Sequence, residues 1–152
     1  MGCEIKEITF TEIGPLWHKL WPDTPENVKP YNTATFLLNK GYDPSIPYGP
    51  VTFLGAFVDE ILVGCNSCFK SAATVWMRSR GLYVDPTARK QGIATQLLSA
   101  TFAQAKKEGC THLWAYPRTV IVSTYIRCGF SQVGEPITTF DYGPHVWAYG
   151  IV

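Results

Sequence analysis

Apolar and polar positions along this chain follow two periods, and the period changes at clusters of turn residues. From Cys3 to Phe10, Ile8 and Phe10 keep step in an alternating pattern while Ile5 falls out of it, which predicts an opening strand. Thr11 to Trp21 reads as a helix, with Thr11 as its cap and Pro15 tolerated in the first turn. Pro22-Asp23-Thr24-Pro25 ends it. Thr33 to Lys40 reads as a short second helix closed by Gly41. Gly41 to Pro50, with Pro44, Pro47 and Pro50 around Tyr42 and Tyr48, is a loop and a candidate lid. Val51 to Val58 and Ile61 to Lys70 form a hairpin around Asp59-Glu60, both arms rich in β-branched and aromatic residues.

Thr74 to Val84 continues as a strand, with Gly81 marking a bulge or a close ligand approach, and Asp85-Pro86 stops it. Gly92 to Lys107 carries the clearest helical period: Ile93, Leu97, Thr101 and Ala105 make one row, flanked by Leu98 and Phe102. Lys106 and Lys107 suit its C-terminus, and Gly109 ends it. His112 to Tyr116 is then a strand, Val120 to Arg127 a helix and Phe130 to Val133 a strand. Ile137 to Asp141 and His145 to Ile151 close the chain as a hairpin around Tyr142-Gly143-Pro144. No repeat or linker interrupts the order, so residues 1–152 read as a single domain.

Composition narrows the function. Lys plus Arg is 13 and Asp plus Glu is 12, a net charge of +1 that offers no field for nucleic acid or an anionic membrane. Charged residues are 16% of the chain, below the usual share of about 25%, and aromatics are 14%. Such a chain folds and has apolar surface to spare for a pocket or, in a homodimer, a second copy. No apolar run approaches the roughly 18–20 residues that cross a bilayer. Met1 to Glu7 lacks a secretory apolar stretch, and Lys6 stands where a myristoylation site wants Ser or Thr, so a cytoplasmic protein is expected. Cys65-Asn66-Ser67-Cys68 is a C-x-x-C, but residues three apart on a strand point to opposite faces and no second pair completes a zinc site. The five cysteines read as ordinary reduced thiols, and no metal is expected.

The chemistry concentrates in Arg80-Gly-Leu-Tyr-Val-Asp-Pro-Thr-Ala-Arg-Lys-Gln-Gly-Ile-Ala94, where a strand enters a basic, glycine-containing turn and then a helix. A helix start presents unpaired N–H groups and a partial positive charge, which suits phosphate oxygens. Gly92 removes a Cβ from the approach, Ala94 keeps the turn open, and Arg89 and Lys90 add charge. The spacing is neither that of a nucleoside triphosphate loop nor that of a dinucleotide fingerprint.

A second motif lies downstream: Ser123-Thr-Tyr-Ile-Arg-Cys-Gly-Phe130 sets Tyr125 four residues before a helix-ending Gly129. Val84-Asp85-Pro86, then Arg89-x-x-Gly92-x-Ala94, then Tyr125-x-x-x-Gly129-Phe130, in that order, resemble the GNAT superfamily of acetyl-CoA-dependent N-acetyltransferases, closely over residues 51–133. The resemblance implies an α/β fold: a single GNAT-like domain with a mixed six- or seven-stranded sheet, splayed at the centre and flanked by helices. It implies that the N–H groups of Gln91, Gly92, Ile93 and Ala94, with Arg89 and Lys90, hold the coenzyme A pyrophosphate. The backbones of Leu82 and Val84 would pair with the pantetheine arm, Leu82 N–H facing the thioester carbonyl, and Tyr125 would protonate the departing thiolate. The acceptor would be a primary amine on a small molecule or peptide.

Many family members carry Asn and Ala seven and four residues before the tyrosine; here Arg118 and Ile121 stand there. Arg118 is thus placed to meet a phosphate or an acidic group on the acceptor. Arg78 occupies the position where some members have a glutamate base. Spacing separates no general base: Asp141, Glu135, Asp23, Asp43 and a chain of waters stand level, while His18, His112 and His145 read as structural. Arg78, Arg80 and Arg118 favour an acceptor bearing a carboxylate or phosphate, and Trp17, Trp21, Tyr42 and Tyr48 are candidates for a flat-walled pocket. The alternative, from another class, is a non-catalytic acyl-CoA-binding or protein-interaction domain that retains the phosphate-binding corner.

Overall fold

A reciprocal pair of hydrogen bonds starts the first helix. In the computed structural model, which describes residues 2–20, 48–71, 75–138 and 143–152, strand β1 (Glu4–Ile8) leads straight into helix α1 (Phe10–Leu20). The cap is Thr9 rather than Thr11: Glu12 N–H donates to Thr9 Oγ1 at 3.2 Å, and Thr9 N–H donates to Glu12 Oε1 at 3.0 Å. This satisfies two donors that a helix start leaves open, and it requires the glutamate three residues after the cap. The predicted helix Thr33 to Lys40, most of the predicted loop Gly41 to Pro50, and Trp21 and Tyr42 lie outside the described residues. Tyr48 to Pro50, read as the end of that loop, belong to strand β2 (Tyr48–Val58).

Strand β3 (Ile61–Ser71) returns along β2, and β4 (Trp76–Val84) along β3. Helix α2 (Ile93–Lys107) then crosses to β5 (His112–Ala115), which lies parallel to β4. A 3-10 turn (Thr119–Ile121) precedes the short helix α3 (Val122–Arg127), where a continuous helix from Val120 was expected. Strands β6 (Ser131–Thr138) and β7 (Pro144–Ile151) complete one seven-stranded sheet in the order β1-β2-β3-β4-β5-β7-β6. The two short strands expected at Phe130 to Val133 and Ile137 to Asp141 are a single strand over their described part. Its ladder with β7 shifts register between Val133 and Ile137, where Gly134 adopts φ +72°. Gly134-Glu135-Pro136 looks like a break in sequence but is accommodated as an irregularity inside the strand.

The core divides by sheet face. On one face Ile13, Leu16 and Trp17 of α1 pack against Ile8, Phe53 and Cys65. On the other, Ile93 and Leu97 of α2 cover Leu54 and Ala56, while Leu98 and Ala105 meet Cys68, Met77 and Leu113. Fully burying each large apolar side chain contributes about 1.5–3 kcal/mol. Cys65 and Cys68 therefore belong to different clusters, and all five cysteines are free. Trp17, a candidate pocket wall in sequence, is instead a core residue held edge-on by Phe10 and Phe53. The buried Asn66 amide donates to Ser79 Oγ (2.8 Å) and to Thr101 Oγ1 (2.9 Å), which ties β3, β4 and α2 together at one point. No helix among the described residues is long and apolar enough to cross a membrane.

Candidate active site

A glycine bulge opens the sheet. Cys65 pairs with Tyr83 and Ser67 with Arg80, so Gly81 and Leu82 together oppose Asn66. Gly81 holds φ +85°, which an L side chain rarely adopts, and a Cβ there would lie 2.6 Å from Trp17 Nε1. Only glycine fits, and the bulge bends β4. Pairing between β4 and β5 covers Trp76, Met77 and Arg78 and then stops, so the rest of β4 presents an edge with no strand beside it among the described residues. Asp85 N–H donates to Val63 O at 2.7 Å and Tyr83 pairs with Cys65, both toward β3. By strand alternation the backbone groups of Leu82 and Val84 point the other way, to the open edge. Val84 O already accepts from Arg89 Nε at 2.8 Å, so its carbonyl is engaged by the protein itself.

The corner after β4 is built to hold its shape. Asp85 accepts from Thr87 N–H (3.1 Å) and Thr87 Oγ1 (2.8 Å), capping a 3-10 turn (Pro86–Ala88) with proline in its first turn. Lys19 Nζ at the end of α1 donates to Asp85 Oδ2 at 3.1 Å. Together these bonds hold the Asp85 carboxyl well below the ordinary carboxylate range, at about 2, the Thr87 hydroxyl bond being the largest cause. Lys90 (φ +64°) and Gly92 (φ +77°) are both left-handed and reverse the chain into α2. Gly92 caps α2 without a side-chain acceptor, so the first-turn N–H groups have neither an intrahelical nor a capping partner there.

Leu82, Val84, Arg89, Lys90, Gly92, Ile93 and Ala94 all line one cleft of about 540 Å³. Gln91 sits in the same turn with its side chain exposed, off the lined wall. Arg118, Thr124 and Arg127 form part of the facing wall. Of these, Thr124 and Arg127 were not singled out in sequence; their three-residue spacing on a helix was the available signal. Arg89, Lys90, Arg118 and Arg127 bring four cations to this cleft, and no carboxylate lines it among the described residues.

Tyr125 sits where a helix end fixes it. Gly129 N–H donates to Ile126 O and Phe130 N–H donates to Tyr125 O, at 3.1 Å each, with Gly129 at φ +100°. Those two bonds make the Schellman ending, whose usual apolar contact between the third-last helical residue and the second residue past the cap is here Tyr125 edge-on to Phe130 at 5.1 Å. The Tyr-x-x-x-Gly-Phe spacing is thus a helix-stop device that also immobilises the tyrosine. Tyr125 is buried, and burial above all pushes its hydroxyl pKa up, with Arg118 and Arg78 pulling the other way. It lines a small pocket of about 70 Å³ with Gly81, Leu82, Arg118, Ile121 and His145. Leu82, Arg118 and Ile121 line both cavities, so the cationic cleft runs into the tyrosine pocket along the open edge of β4. Arg78, by contrast, lies over the Trp114 ring at 4.6 Å.

A splayed parallel pair leading from a cationic helix start to a buried tyrosine defines a domain for transferring a group carried on a phosphorylated arm. The sequence matches the model of the acetyltransferase (GNAT) family over residues 13–130, and the chain belongs to that family. It is an acyltransferase that uses acyl-CoA. Solved structures share the fold at low identity. Escherichia coli ElaA is 16% identical with TM-score 0.71, over 98% of this chain and 99% of that one. The PaiA N-acetyltransferase of Thermoplasma acidophilum, solved with coenzyme A, is 19% identical with TM-score 0.67, over all of both chains (100%). A GNAT-family acetyltransferase of Staphylococcus aureus is 14% identical with TM-score 0.69, over 99% of each. No curated protein sequence matches this one.

Proposed function

We propose that the protein transfers the acetyl group of acetyl-CoA to a primary amine on a small molecule or peptide. The observation that carries this reading is the continuity of the two cavities through Leu82, Arg118 and Ile121. In it the pyrophosphate meets the first-turn N–H groups at Gly92, Ile93 and Ala94, with the Gln91 N–H beside them. Arg89 and Lys90 add charge-assisted contacts, each stronger than a neutral hydrogen bond. The pantetheine arm lies along the open edge as an extra strand, drawing on Leu82 and on the Val84 N–H.

The amine attacks the thioester carbonyl, and the Leu82 N–H, preorganised by the Gly81 bulge, stabilises the oxyanion. Coenzyme A departs as a thiolate whose conjugate acid titrates near about 8.5, and Tyr125 supplies its proton. Burial keeps Tyr125 protonated but also makes it a weaker acid, so its contribution belongs at the low end of general-acid effects, about 10²-fold. Arg118 supports an acceptor carrying an acidic group beside its amine. A cytoplasmic setting fits the same reading, since all five cysteines are free thiols.

The test is thiol release from acetyl-CoA across a panel of primary amines: a diamine, a polyamine, amino-acid amides, and peptides with free α- or ε-amines. Release with at least one amine is expected. Calorimetric binding of acetyl-CoA with no release from any amine overturns the reading in favour of a binding module.

A further inference from the structure

The acid of this reaction has a candidate in Tyr125; spacing separates no base, and the tyrosine pocket itself contains a candidate. We propose that His145 is the proton acceptor for the attacking amine, because it shares the wall of the Tyr125 pocket and its ring is held in the basic tautomer toward Nε2. His145 Nδ1 lies 2.7 Å from Gly143 O. A carbonyl can only accept, so Nδ1 carries the proton and, in the neutral ring, the lone pair sits on Nε2. The ring stacks on Tyr116 at 5.0 Å and 27° and is anchored in β7, whose start bridges to Arg118. Acid and base thus come from different elements, α3 and β7.

Among the described residues, no other side chain lining the pocket is a base. Burial keeps the proton on Tyr125, the Arg118 guanidinium offers donors alone, and the remaining described wall is the Tyr116 phenol, apolar side chain or glycine. Among the described residues, the groups that bias the charge of His145 are the Gly143 carbonyl, which favours the imidazolium, and Arg118, which opposes it; the Tyr116 and Tyr125 rings share its pocket. Burial is the largest cause, and the net direction is below the ordinary histidine value. The ring is therefore neutral, and able to accept, at pH 7. Glu135, one of the carboxylates that spacing leaves open as a base, is exposed on β6, while Asp23, Asp43 and Asp141 lie outside the described residues.

The step balances. The amine nitrogen bonds to the thioester carbon, and His145 Nε2 takes the N–H proton from the nitrogen that has become cationic. The C–S bond breaks, and the thiolate takes a proton from Tyr125. The imidazolium returns its proton through solvent to the tyrosinate, leaving amide and free thiol.

This rests on the acetyl-transfer reading, and the experiment separates the two. With acetyl-CoA and the amine from the panel that releases most thiol, log kcat of the wild type should fall with unit slope below a pKa under the ordinary value of about 6.5. In His145→Gln that limb should vanish, kcat should drop about 10²-fold, and the acetyl-CoA dissociation constant should stay within about a factor of two. Added imidazole should restore part of the rate to His145→Ala. A variant that keeps the limb, or loses less than about threefold in kcat, overturns the assignment of His145 alone. Absence of thiol release by the wild type overturns the transfer reading and this one with it. Nitrogen-15 spectra of the wild-type protein need no variant: at pH 7 a protonated Nδ1 and bare Nε2 are expected, and the opposite tautomer or an imidazolium refutes the proposal.

Discussion

Replacing Gly81 by alanine tests whether the bulge that opens the sheet is sterically compulsory. Two costs add. A left-handed residue with a Cβ costs about 1–2 kcal/mol. The new carbon would also lie 2.6 Å from Trp17 Nε1 and 2.9 Å from Cε2. Trp17 is 1% exposed and clamped by Phe10 and Phe53, so it cannot swing clear without repacking α1 on the sheet. Overpacking of that kind costs typically about 1–3 kcal/mol. The sum is about 2–5 kcal/mol, a large share of the roughly 5–15 kcal/mol that holds a domain folded.

Gly109→Ala is the matched control. Gly109 has φ +75°, ends α2 in a Schellman turn (Cys110 N–H to Ala105 O, 2.9 Å), and a Cβ there meets nothing within 4 Å. It should show the backbone cost alone, about 1–2 kcal/mol. In urea titrations the two midpoints should therefore differ by an equivalent of about 1–3 kcal/mol, and melting temperatures by about 2–12 °C at some 2–4 °C per kcal/mol. A double-mutant cycle with Trp17→Phe should return a coupling of about 1 kcal/mol or more, because the indole nitrogen is the atom struck. Equal destabilisation of the two alanine variants, or a coupling near zero, would refute the clash and with it the claim that glycine is compulsory at the bulge.

The site yields further expectations. Tyr125→Phe should lower kcat about 10²-fold and leave coenzyme A affinity within about a factor of two; unchanged turnover would remove the hydroxyl from the reaction. Arg89→Ala should weaken coenzyme A by about ten- to a hundredfold by calorimetry, since a charge-assisted contact is worth about 1.5–3 kcal/mol and the freed Val84 carbonyl loses its partner. Asp85 has its carboxyl pKa depressed to about 2, so its contribution to stability is complete above the unfolded value near about 4 and is lost as pH falls through 2. The stability gap between wild type and Asp85→Ala should accordingly narrow across that window and close below it, and a gap undiminished below the folded value would contradict the Thr87 and Lys19 bonds as its source. Cys65 and Cys68 are buried thiols, burial pushing Cys68 up to about 12, and should resist a thiol reagent in the native protein while the less buried Cys3 and Cys128 react.

Elements with one strong period were legible in the sequence, and those set by two or more interacting positions were not. The row Ile93, Leu97, Thr101 and Ala105 identified α2 because all four face one side of the sheet and are buried. The start of α1 was misplaced by two residues because an isolated threonine looks like a cap anywhere; only the pair Thr9 and Glu12 distinguishes the true one. The strand pattern stops at Val133 and resumes at Ile137, yet β7 continues alongside and pairs on both sides of the irregularity. Gly81 was readable as a bulge, but Trp17, the reason glycine is needed there, lies 64 residues away in a helix, as 81 less 17 shows. His145 read as structural because nothing local to β7 shows that Tyr125 shares its cavity; the meeting is made by topology, with β7 inserted between β5 and β6.

Net charge illustrates the same limit from the electrostatic side. A total of +1 is a sum over the chain and says nothing of where the cations are. Arg89, Lys90, Arg118 and Arg127 come from two separate stretches, after β4 and around α3, and the fold sets them around one cleft. Among the described residues no acid lines the cleft, and the corner carboxylate, Asp85, is already held by Lys19 and Thr87. Local field, not total charge, decides what an anionic arm experiences, since the Debye length at physiological salt is only about 8 Å. Coenzyme A affinity should therefore fall steeply with added salt even though the protein as a whole is nearly neutral. The open edge at Leu82 then converts this local attraction into register, because strand-like pairing fixes how far along the cleft the thioester reaches before it meets Tyr125.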